Sequence, residues 1–335
     1  MNRFKNTRIA TLALAVAVMG VAVLNEGCAH RVESKSNPTT DEAKPQMSRL
    51  ERGKYLAEGV MHCFQCHSDL DWKADGTPVP GRKGAGHDWK DYGVPFQLVA
   101  PNLTPDRETG TGKWTDETFA RAIREGKGHD GRTLFPLMPY MKYKSLSDED
   151  LASVITYVRS LEPVRNKLAK TNLPAELKAV LPPHQPITAP VPEPDMSDPV
   201  KRGAYLVEIG NCSECHTPRD EKDQPIAGLD FGGGSVLEGP WGRVASANLT
   251  SDPTGISYYD EAQFIKTIRT GKVGARKLSL IMPWAYLRNM NDEDLKAIFA
   301  YLRTLKPVSH TVDNTEQAEL CKICGQRHGF GDRNE

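Results

Sequence analysis

A long internal repeat constrains the fold of this chain more than any other feature of its 335 residues. The segment Arg52-Gly53-Lys54-Tyr55-Leu56 recurs as Arg202-Gly203-Ala204-Tyr205-Leu206, and a Cys-x-x-Cys-His motif follows each copy. Further matched segments keep the same order, while the shift between them falls from about 150 to about 144 residues because loops differ in length. A repeat this long indicates a duplicated domain and not a solenoid unit. We therefore predict two copies of one domain, at residues 49–165 and 198–308.

The strongest chemical signal lies in the two Cys-x-x-Cys-His motifs. Two thiols three residues apart on one helical turn can form thioethers with the vinyl groups of a haem, and the adjoining histidine can then bind the iron. One isolated motif could also be a redox dithiol or half of a zinc site. Two occurrences within a duplicated domain favour haem attachment. The sequence thus predicts two haem c groups, with thioethers from Cys63, Cys66, Cys212 and Cys215 and axial ligands from His67 and His216.

A sixth iron ligand is expected from one methionine in each copy. Met138 precedes Pro139 and Met282 precedes Pro283, each methionine about 70 residues after its haem-binding histidine. Proline disfavours the helical region for the residue before it, which suits a side chain that crosses a haem face from an extended loop. A single methionine in an apolar loop would more simply fill a gap in the core. The repeated placement favours iron ligation, whereas the nearby Met141 has no counterpart in the second copy.

Each copy shows the same helical pattern, which indicates an all-α fold. The last segment of each copy has apolar residues at 3.6-residue spacing, with Ser147 or Asn291 as the predicted N-cap. Middle helices are predicted at residues 115–125 and 259–270, and each ends near a glycine. Residues 166–197, between the copies, contain too many prolines for a helix or a central strand. We expect there an extended, semi-rigid connector that holds the two domains at a defined separation.

Both ends of the chain lie outside the repeat. Residues 1–28 have the basic start and the apolar stretch of an export signal, with Cys28 at the position of a bacterial lipoprotein cleavage site. Soluble export or an uncleaved anchor are the alternatives to a lipid on Cys28. Residues 29–48 are polar and fit a flexible tether. In the tail, residues 309–335, a Cys-x-x-Cys pair lacks the histidine of a third haem motif, so we expect a disulfide there in an oxidising compartment.

Charge and composition exclude some classes of function. Lys plus Arg and Asp plus Glu both number 43, so the formal net charge is zero and nothing indicates nucleic-acid binding. Charged residues make up 26% of the chain and hydrophobic residues 39%, which is typical of a globular protein with a packed core.

Both copies resemble class I cytochrome c domains, and the pair resembles the multi-haem cytochrome subunits of membrane-bound alcohol and sugar-acid dehydrogenases. In that family, the helix before the haem motif crosses the final helix where a glycine meets an aromatic residue. The matching pairs here are Gly53 with Tyr157 and Gly203 with Tyr301. Only a glycine lets two helix backbones approach that closely beside a large ring, so the resemblance agrees with the physics of helix packing.

Other residues near the motifs carry weaker expectations. The segment from Asn102 to Pro105 is similar to an Asn-Leu-Thr-Pro stretch of the family, and we expect it to line the haem edge, where Asn102 can bind a propionate. Trp114, aligned with Tyr258, is expected near the first haem, with its indole N–H toward a buried polar group or packed in the core. Histidines without a repeated partner, such as His62 and His129, are expected at the surface or in loops.

Together these features predict a di-haem electron carrier and not an enzyme. An iron with histidine on one side and methionine on the other has no open position for a substrate. We expect electrons to pass between a periplasmic or membrane dehydrogenase, or a quinol-oxidising complex, and an oxidase or a small cytochrome, in the periplasm. The alternative is a di-haem enzyme such as a peroxidase or a thiosulfate dehydrogenase, in which one iron must open or take a different ligand. A redox or gas sensor would normally carry a signalling domain.

Overall fold

The computed structural model describes residues 47–312, 319–320 and 327–328. The predictions for residues 1–46, among them the export signal and Cys28, and for the cysteine pair of the tail lie outside the described residues. Every helix in the described part of the chain is too short or too polar to cross a bilayer.

Short helices form most of the regular structure. We call the first copy, residues 49–165, domain 1 and the second copy, residues 198–308, domain 2. The helices of domain 1 are α1 (Arg49–Tyr55), continued by a π-helical turn (Leu56–Val60), α2 (Cys63–Cys66), a 3₁₀ turn (Trp89–Tyr92), α3 (Asp116–Glu125), α4 (Tyr140–Tyr143) and α5 (Asp148–Arg159). The connector contains α6 (Ala175–Val180). Domain 2 repeats the plan with α7 (Pro199–Ile209), α8 (Cys212–His216), α9 (Glu261–Thr270), α10 (Trp284–Leu287) and α11 (Asp292–Thr304).

The strands are short and form two-stranded antiparallel hairpins. The pairs are β1 (His87–Asp88) with β2 (Val99–Ala100), β3 (Val236–Gly239) with β4 (Gly242–Ala245), β5 (Lys272–Val273) with β6 (Arg276–Lys277), and β7 (Glu319–Leu320) with β8 (Arg327–His328). In the longest hairpin, β3 and β4 are in register from Val236 opposite Ala245 to Gly239 opposite Gly242. The regular structure of the described residues is therefore mostly helical, with small hairpins that were not predicted from the sequence.

Capping hydrogen bonds confirm the predicted helix ends. The side chains of Ser147 and Asn291 accept the backbone N–H of the third residue of α5 and α11, at 3.1 and 2.7 Å. Helices α3 and α9 end at Gly126 and Gly271, whose φ angles of 65° and 63° lie in the left-handed region. Glycine adopts that region without a steric penalty, so both helices stop where the sequence indicated.

Helix α1 crosses α5, and α7 crosses α11, each at a glycine. A Cβ atom built on Gly53 would lie 1.9 Å from the carbonyl oxygen of Ser153 and 2.8 Å from Cβ of Tyr157. A Cβ atom on Gly203 would lie equally close, at 1.9 Å, to the carbonyl oxygen of Ala297. Any side chain would force the helices apart, which confirms the predicted crossing in both domains.

The connector lies against domain 1. The backbone N–H of Asn172 donates to the carbonyl of Gln97 at 2.9 Å, and the N–H of Asp148 donates to the carbonyl of Val191 at 2.9 Å. Helix α6 interrupts the segment, so the prediction of a fully extended connector is wrong there. Pro174 stands at the N-cap of α6, where its missing N–H removes no intrahelical hydrogen bond.

The two domains are in direct contact, and the connector does not hold them apart. Leu56 and Val60 of domain 1 share one cluster of buried apolar side chains with Leu206 and Ile209 of domain 2. The expected separation of the domains is therefore wrong, because apolar side chains are buried between them. The sequence pattern does not distinguish such residues from those buried within one domain.

Two tyrosines of the repeated motif cross this interface. Tyr205 Oη donates to Asp150 Oδ2 at 2.7 Å, and Tyr55 Oη donates to Asp294 Oδ2. Each carboxylate also pairs with the motif arginine of its own domain. The two halves of the interface thus use equivalent residues of the repeat, since the tyrosine of each domain binds the carboxylate of the other.

Candidate haem-binding cavity

Both Cys-x-x-Cys-His motifs begin after a residue in the left-handed region. His62, directly before Cys63, has φ of 36°, and Asn211, directly before Cys212, has φ of 55°. This turn ends the preceding helix and starts a new one at the first cysteine. Asn and His both adopt the left-handed region more often than most residues with a Cβ atom, so both positions suit this turn.

One continuous cavity of about 1750 Å³ is bordered by both motifs. Pockets for single small ligands usually enclose roughly 300–1,000 Å³, so this cavity has room for more than one. Its lining comes from both domains and is mostly apolar. All the predicted site residues contribute to it, namely Cys63, Cys66, His67, Met138, Cys212, Cys215, His216 and Met282. The structure therefore brings together side chains that lie far apart in the sequence.

Backbone carbonyls hold the two motif histidines. His67 Nδ1 lies 2.9 Å from the carbonyl oxygen of Pro101, and His216 Nδ1 lies 2.7 Å from that of Ala247. Because a carbonyl only accepts, each Nδ1 must carry the hydrogen, which leaves Nε2 with its lone pair. Burial lowers the pKa of both imidazoles and so favours their neutral form. A neutral, oriented imidazole with a free Nε2 is suited to bind a metal.

The environment of the cysteines bears on the alternative sites. Burial raises the pKa of Cys63, Cys66 and Cys212 to about 12 and that of Cys215 to about 11. A redox dithiol needs a thiol with a lowered pKa, so these cysteines are poor candidates for that role. Among the described residues, no three His, Cys, Asp or Glu side chains gather as a structural zinc ion would require.

Three buried polar atoms of the cavity wall test whether a haem fits here. Asn211 Oδ1, Trp241 Nε1 and Ser279 Oγ are shielded from solvent and have no hydrogen-bond partner in the described part of the protein. Buried polar groups are normally paired, so atoms of this kind on a cavity wall indicate a ligand with polar groups. An apolar cavity with a few such atoms fits a haem, whose ring is apolar and whose propionates are charged.

The expected role of Asn102 at the haem edge is wrong. Its amide nitrogen donates to the carbonyl of Val164 at 2.7 Å and to Thr109 Oγ1 at 3.3 Å, while its oxygen accepts from the residue two positions later. Asn248 repeats the pattern in domain 2, with Val308 as the carbonyl partner at 2.8 Å. Both side chains are buried and have used their donors and acceptors, so they fasten the chain after the last helix of each domain.

Trp114 lines the cavity and stacks on His129, with ring centroids 4.8 Å apart. Its counterpart is Tyr259 and not Tyr258, because Trp114 and Tyr259 both directly precede the N-cap of the middle helix. Tyr258 is 66% exposed and does not line the cavity. His62 lies in the short turn before Cys63, as expected for a loop position, and this turn is at the domain interface, with Nε2 3.4 Å from the carbonyl of Gly210.

An aromatic cluster beside the cavity was not predicted from the sequence. Trp72 and Trp241 come from different domains, yet their ring centroids are 5.3 Å apart. Tyr92 joins them, 5.9 Å from Trp241, and accepts a hydrogen bond from Trp72 Nε1 at 2.9 Å. In the sequence, a tryptophan follows each motif. The two tryptophans lie at different distances from their motifs, so the repeat did not align them as a pair.

Comparison with known proteins agrees with this geometry. The sequence matches the family model described as Cytochrome c over residues 50–162 and again over residues 200–306. The chain belongs to the cytochrome c family. With one match in each half and a diheme cytochrome among its relatives, this chain carries two haem c groups, one in each cytochrome c domain.

The relatives include subunits of larger complexes. The chain is 30% identical to "Alcohol dehydrogenase (quinone), cytochrome c subunit" of Gluconobacter oxydans (strain 621H), over 89% of this chain and 60% of the relative. It is 29% identical to "Fructose dehydrogenase cytochrome subunit" of Gluconobacter japonicus, over 91% of this chain and 62% of the relative. It is 27% identical to "Diheme cytochrome c-type" of Cereibacter sphaeroides, over 73% of this chain and 82% of the relative. The aligned region thus spans less than two thirds of the two dehydrogenase subunits.

Proposed function

We propose that this chain is a di-haem electron carrier between a periplasmic or membrane dehydrogenase, or a quinol-oxidising complex, and a downstream acceptor. The observation that supports it most is the single cavity bordered by both motifs of two directly packed domains. Haem iron supplies a reversible one-electron couple when it is bound. The residues of this chain would hold two such groups next to each other and exclude water from both.

In this proposal the chain supplies every ligand. Cys63 and Cys66 in domain 1 and Cys212 and Cys215 in domain 2 would form the thioethers, and the two irons would be bound by His67 with Met138 and by His216 with Met282. The carbonyls of Pro101 and Ala247 orient the two imidazoles. Closed axial positions leave no site for a substrate on the iron, which favours a carrier over a peroxidase or a thiosulfate dehydrogenase.

Substitution of the two methionines tests the ligand assignment. Met138→Ala and Met282→Ala should each remove half of the methionine-to-iron charge-transfer band of the oxidised protein, and the double variant should remove all of it. Met141→Ala is the matched control, because Met141 is next to the first loop and its side chain is 50% exposed. That variant should keep the full band. A native protein with a high-spin haem that turns over peroxide would refute the carrier and support the enzyme.

Substitution of the cysteines tests haem attachment. A Cys63→Ala, Cys66→Ala double variant should retain one haem, measured as iron per chain and as pigment after denaturing electrophoresis. The matched Cys212→Ala, Cys215→Ala variant should also retain one. Two equivalents of covalent haem in either variant would contradict the assignment.

The partner is inferred from the names of the relatives, which are subunits of alcohol and fructose dehydrogenases. Deletion of the gene should reduce oxygen uptake by whole cells supplied with an alcohol, a sugar or a sugar acid, and a plasmid copy should restore it. Unchanged oxygen uptake on all of these substrates would exclude a dehydrogenase as the donor.

We also propose that the chain is exported to the periplasm and attached to the membrane through a lipid on Cys28. Radioactive palmitate should label the wild-type protein but not a Cys28→Ala variant, and that variant should move to the soluble periplasmic fraction. Equal labelling of both proteins would contradict the lipid, and a cytoplasmic haem-free protein would contradict export.

A further inference from the structure

The loop that carries Met282 is held by the other domain. The side-chain amide of Gln65, which lies between the two cysteines of the first haem motif, donates to the carbonyl oxygen of Ile281 at 3.1 Å. Ile281 directly precedes Met282. The attachment motif of one haem therefore contacts the loop that bears the proposed axial ligand of the other.

Further contacts tie the same segment of domain 2 to domain 1. Tyr286 Oη, one helical turn after Met282, donates to the carbonyl of Gly76 at 3.2 Å from a buried position. Arg288 pairs with Asp75 at 3.1 Å. Helix α10 packs along the π-helical turn of domain 1. The loop before α10 and the helix itself are thus fixed from outside their own domain.

The corresponding loop of domain 1 is held differently. Its short helix, α4, is linked to domain 2 by an ion pair between Lys142 and Glu208, at 3.5 Å, with side chains 30% and 42% exposed. Ion pairs with this exposure contribute little to stability because water and salt screen them. The residue aligned with Tyr286 is Lys142. Domain 2 thus has a buried hydrogen bond from a tyrosine hydroxyl where domain 1 has a weak ion pair.

We infer that Gln65 is a positioning residue for Met282, so that coordination at the second haem depends on the domain interface while coordination at the first does not. This inference rests on the proposed ligation of the second iron by Met282. Without the Gln65 amide, the half-buried Ile281 loses the donor to its carbonyl, and the loop should open more often. The net effect of one such hydrogen bond corresponds to a roughly fivefold change in the equilibrium between closed and open loops.

Imidazole competition measures that equilibrium, because imidazole binds the iron only when the methionine has left. The charge-transfer band of a Met138→Ala protein reports Met282 alone, and the band of a Met282→Ala protein reports Met138 alone. Gln65→Leu removes the donor and keeps most of the volume. It should lower the imidazole concentration at half-displacement roughly fivefold in the Met138→Ala protein and leave it unchanged in the Met282→Ala protein.

Glu214→Leu is the matched control, because Glu214 holds the same position in the second motif but pairs with Arg219 of its own domain, at 2.9 Å. It should shift neither band. Tyr286→Phe gives an independent measurement and should also sensitise the Met282 band. The inference would be overturned if Gln65→Leu shifted both bands equally. It would also be overturned if Gln65→Leu left the Met282 band unchanged, whatever Tyr286→Phe does. If the Met138→Ala protein has no band at all before Gln65 is changed, the ligand assignment itself is wrong.

Discussion

Changing Tyr205 to Phe removes one hydroxyl from the interface between the two cytochrome c domains. That hydroxyl donates to Asp150 at 2.7 Å and accepts the backbone N–H of Ser147 at 3.2 Å. The Asp150 side chain is only 4% exposed, so water cannot readily replace the lost donor. Arg52 remains bound to the carboxylate, at 2.7 Å, so the main loss is the charge-assisted hydrogen bond to Asp150, together with the longer bond from Ser147.

The expected cost follows from the burial of the carboxylate. A hydrogen bond to a charged group contributes about 1.5–3 kcal/mol to the free energy of unfolding, and Tyr205→Phe should cost that much. Tyr55→Phe removes the equivalent bond to Asp294, whose side chain is 1% exposed, and should cost a similar amount. If the two bonds are independent, the double variant should lose about 3–6 kcal/mol.

Urea unfolding followed by far-UV circular dichroism measures these costs on the haem-loaded protein. Small-angle X-ray scattering without urea should show a larger radius of gyration for the double variant, because the domains then separate more often. Tyr258→Phe is the control, since Tyr258 is 66% exposed and its change should stay within about 0.5 kcal/mol. If the double variant has the unfolding midpoint of that control and the wild-type radius of gyration, these tyrosines do not hold the domains together.

Three further predictions concern single residues. Gly203→Ala should destabilise the protein by about 3 kcal/mol or more in urea unfolding, because the new Cβ would lie 1.9 Å from a backbone oxygen of α11 and the helices must separate; a loss below 1 kcal/mol would refute the crossing. Asn102→Ala should cost about 1–3 kcal/mol but leave both reduction potentials unchanged, since its amide bonds the chain and not a propionate. The hydrogen bond from Arg124 lowers the pKa of the Asp148 carboxyl from its ordinary value of 3.8. The ionised carboxylate therefore stabilises the folded protein above pH 3.8, and this contribution is lost as the pH falls through the lowered pKa. Asp148→Asn should therefore reduce the loss of stability on acidification, measured as urea midpoints from about pH 6 to pH 2.

Local rules explain what the sequence could predict. The N-cap at Ser147 and the helix end at Gly126 depend on side-chain and backbone preferences within a few residues, so the printed sequence contains all the necessary information. The covalent geometry of haem attachment likewise fixes the spacing of Cys63, Cys66 and His67. The assignment of Met138 stays a prediction, and it needed the repeat as well, because one methionine before a proline has several simpler explanations.

The parts that could not be predicted depend on contacts between distant segments. Asn102 lies in a loop beside the cavity, and only the carbonyl of Val164, brought close by the fold, decides that its amide points elsewhere. The connector was expected to act as a spacer from its prolines, but its backbone finds partners on domain 1 that no local pattern reveals. Direct domain contact was hidden for the same reason, since Leu206 follows the same helical period whether its partner belongs to its own domain or to the other.

The repeated Arg-Gly-x-Tyr segment connects folding within each domain to pairing between domains. In each copy the glycine permits the helix crossing, the arginine binds the carboxylate of its own final helix, and the tyrosine reaches the same carboxylate of the other domain. Because the same patch meets itself, the interface is built like that of a twofold dimer, and duplication of one domain supplies both halves at once. A Cys-x-x-Cys-His motif follows each copy of this segment, so the contact that joins the domains also brings His62, directly before one motif, close to Gly210, two residues before the other. Proximity of the two Cys-x-x-Cys-His motifs is therefore a consequence of the same residues that make each domain fold.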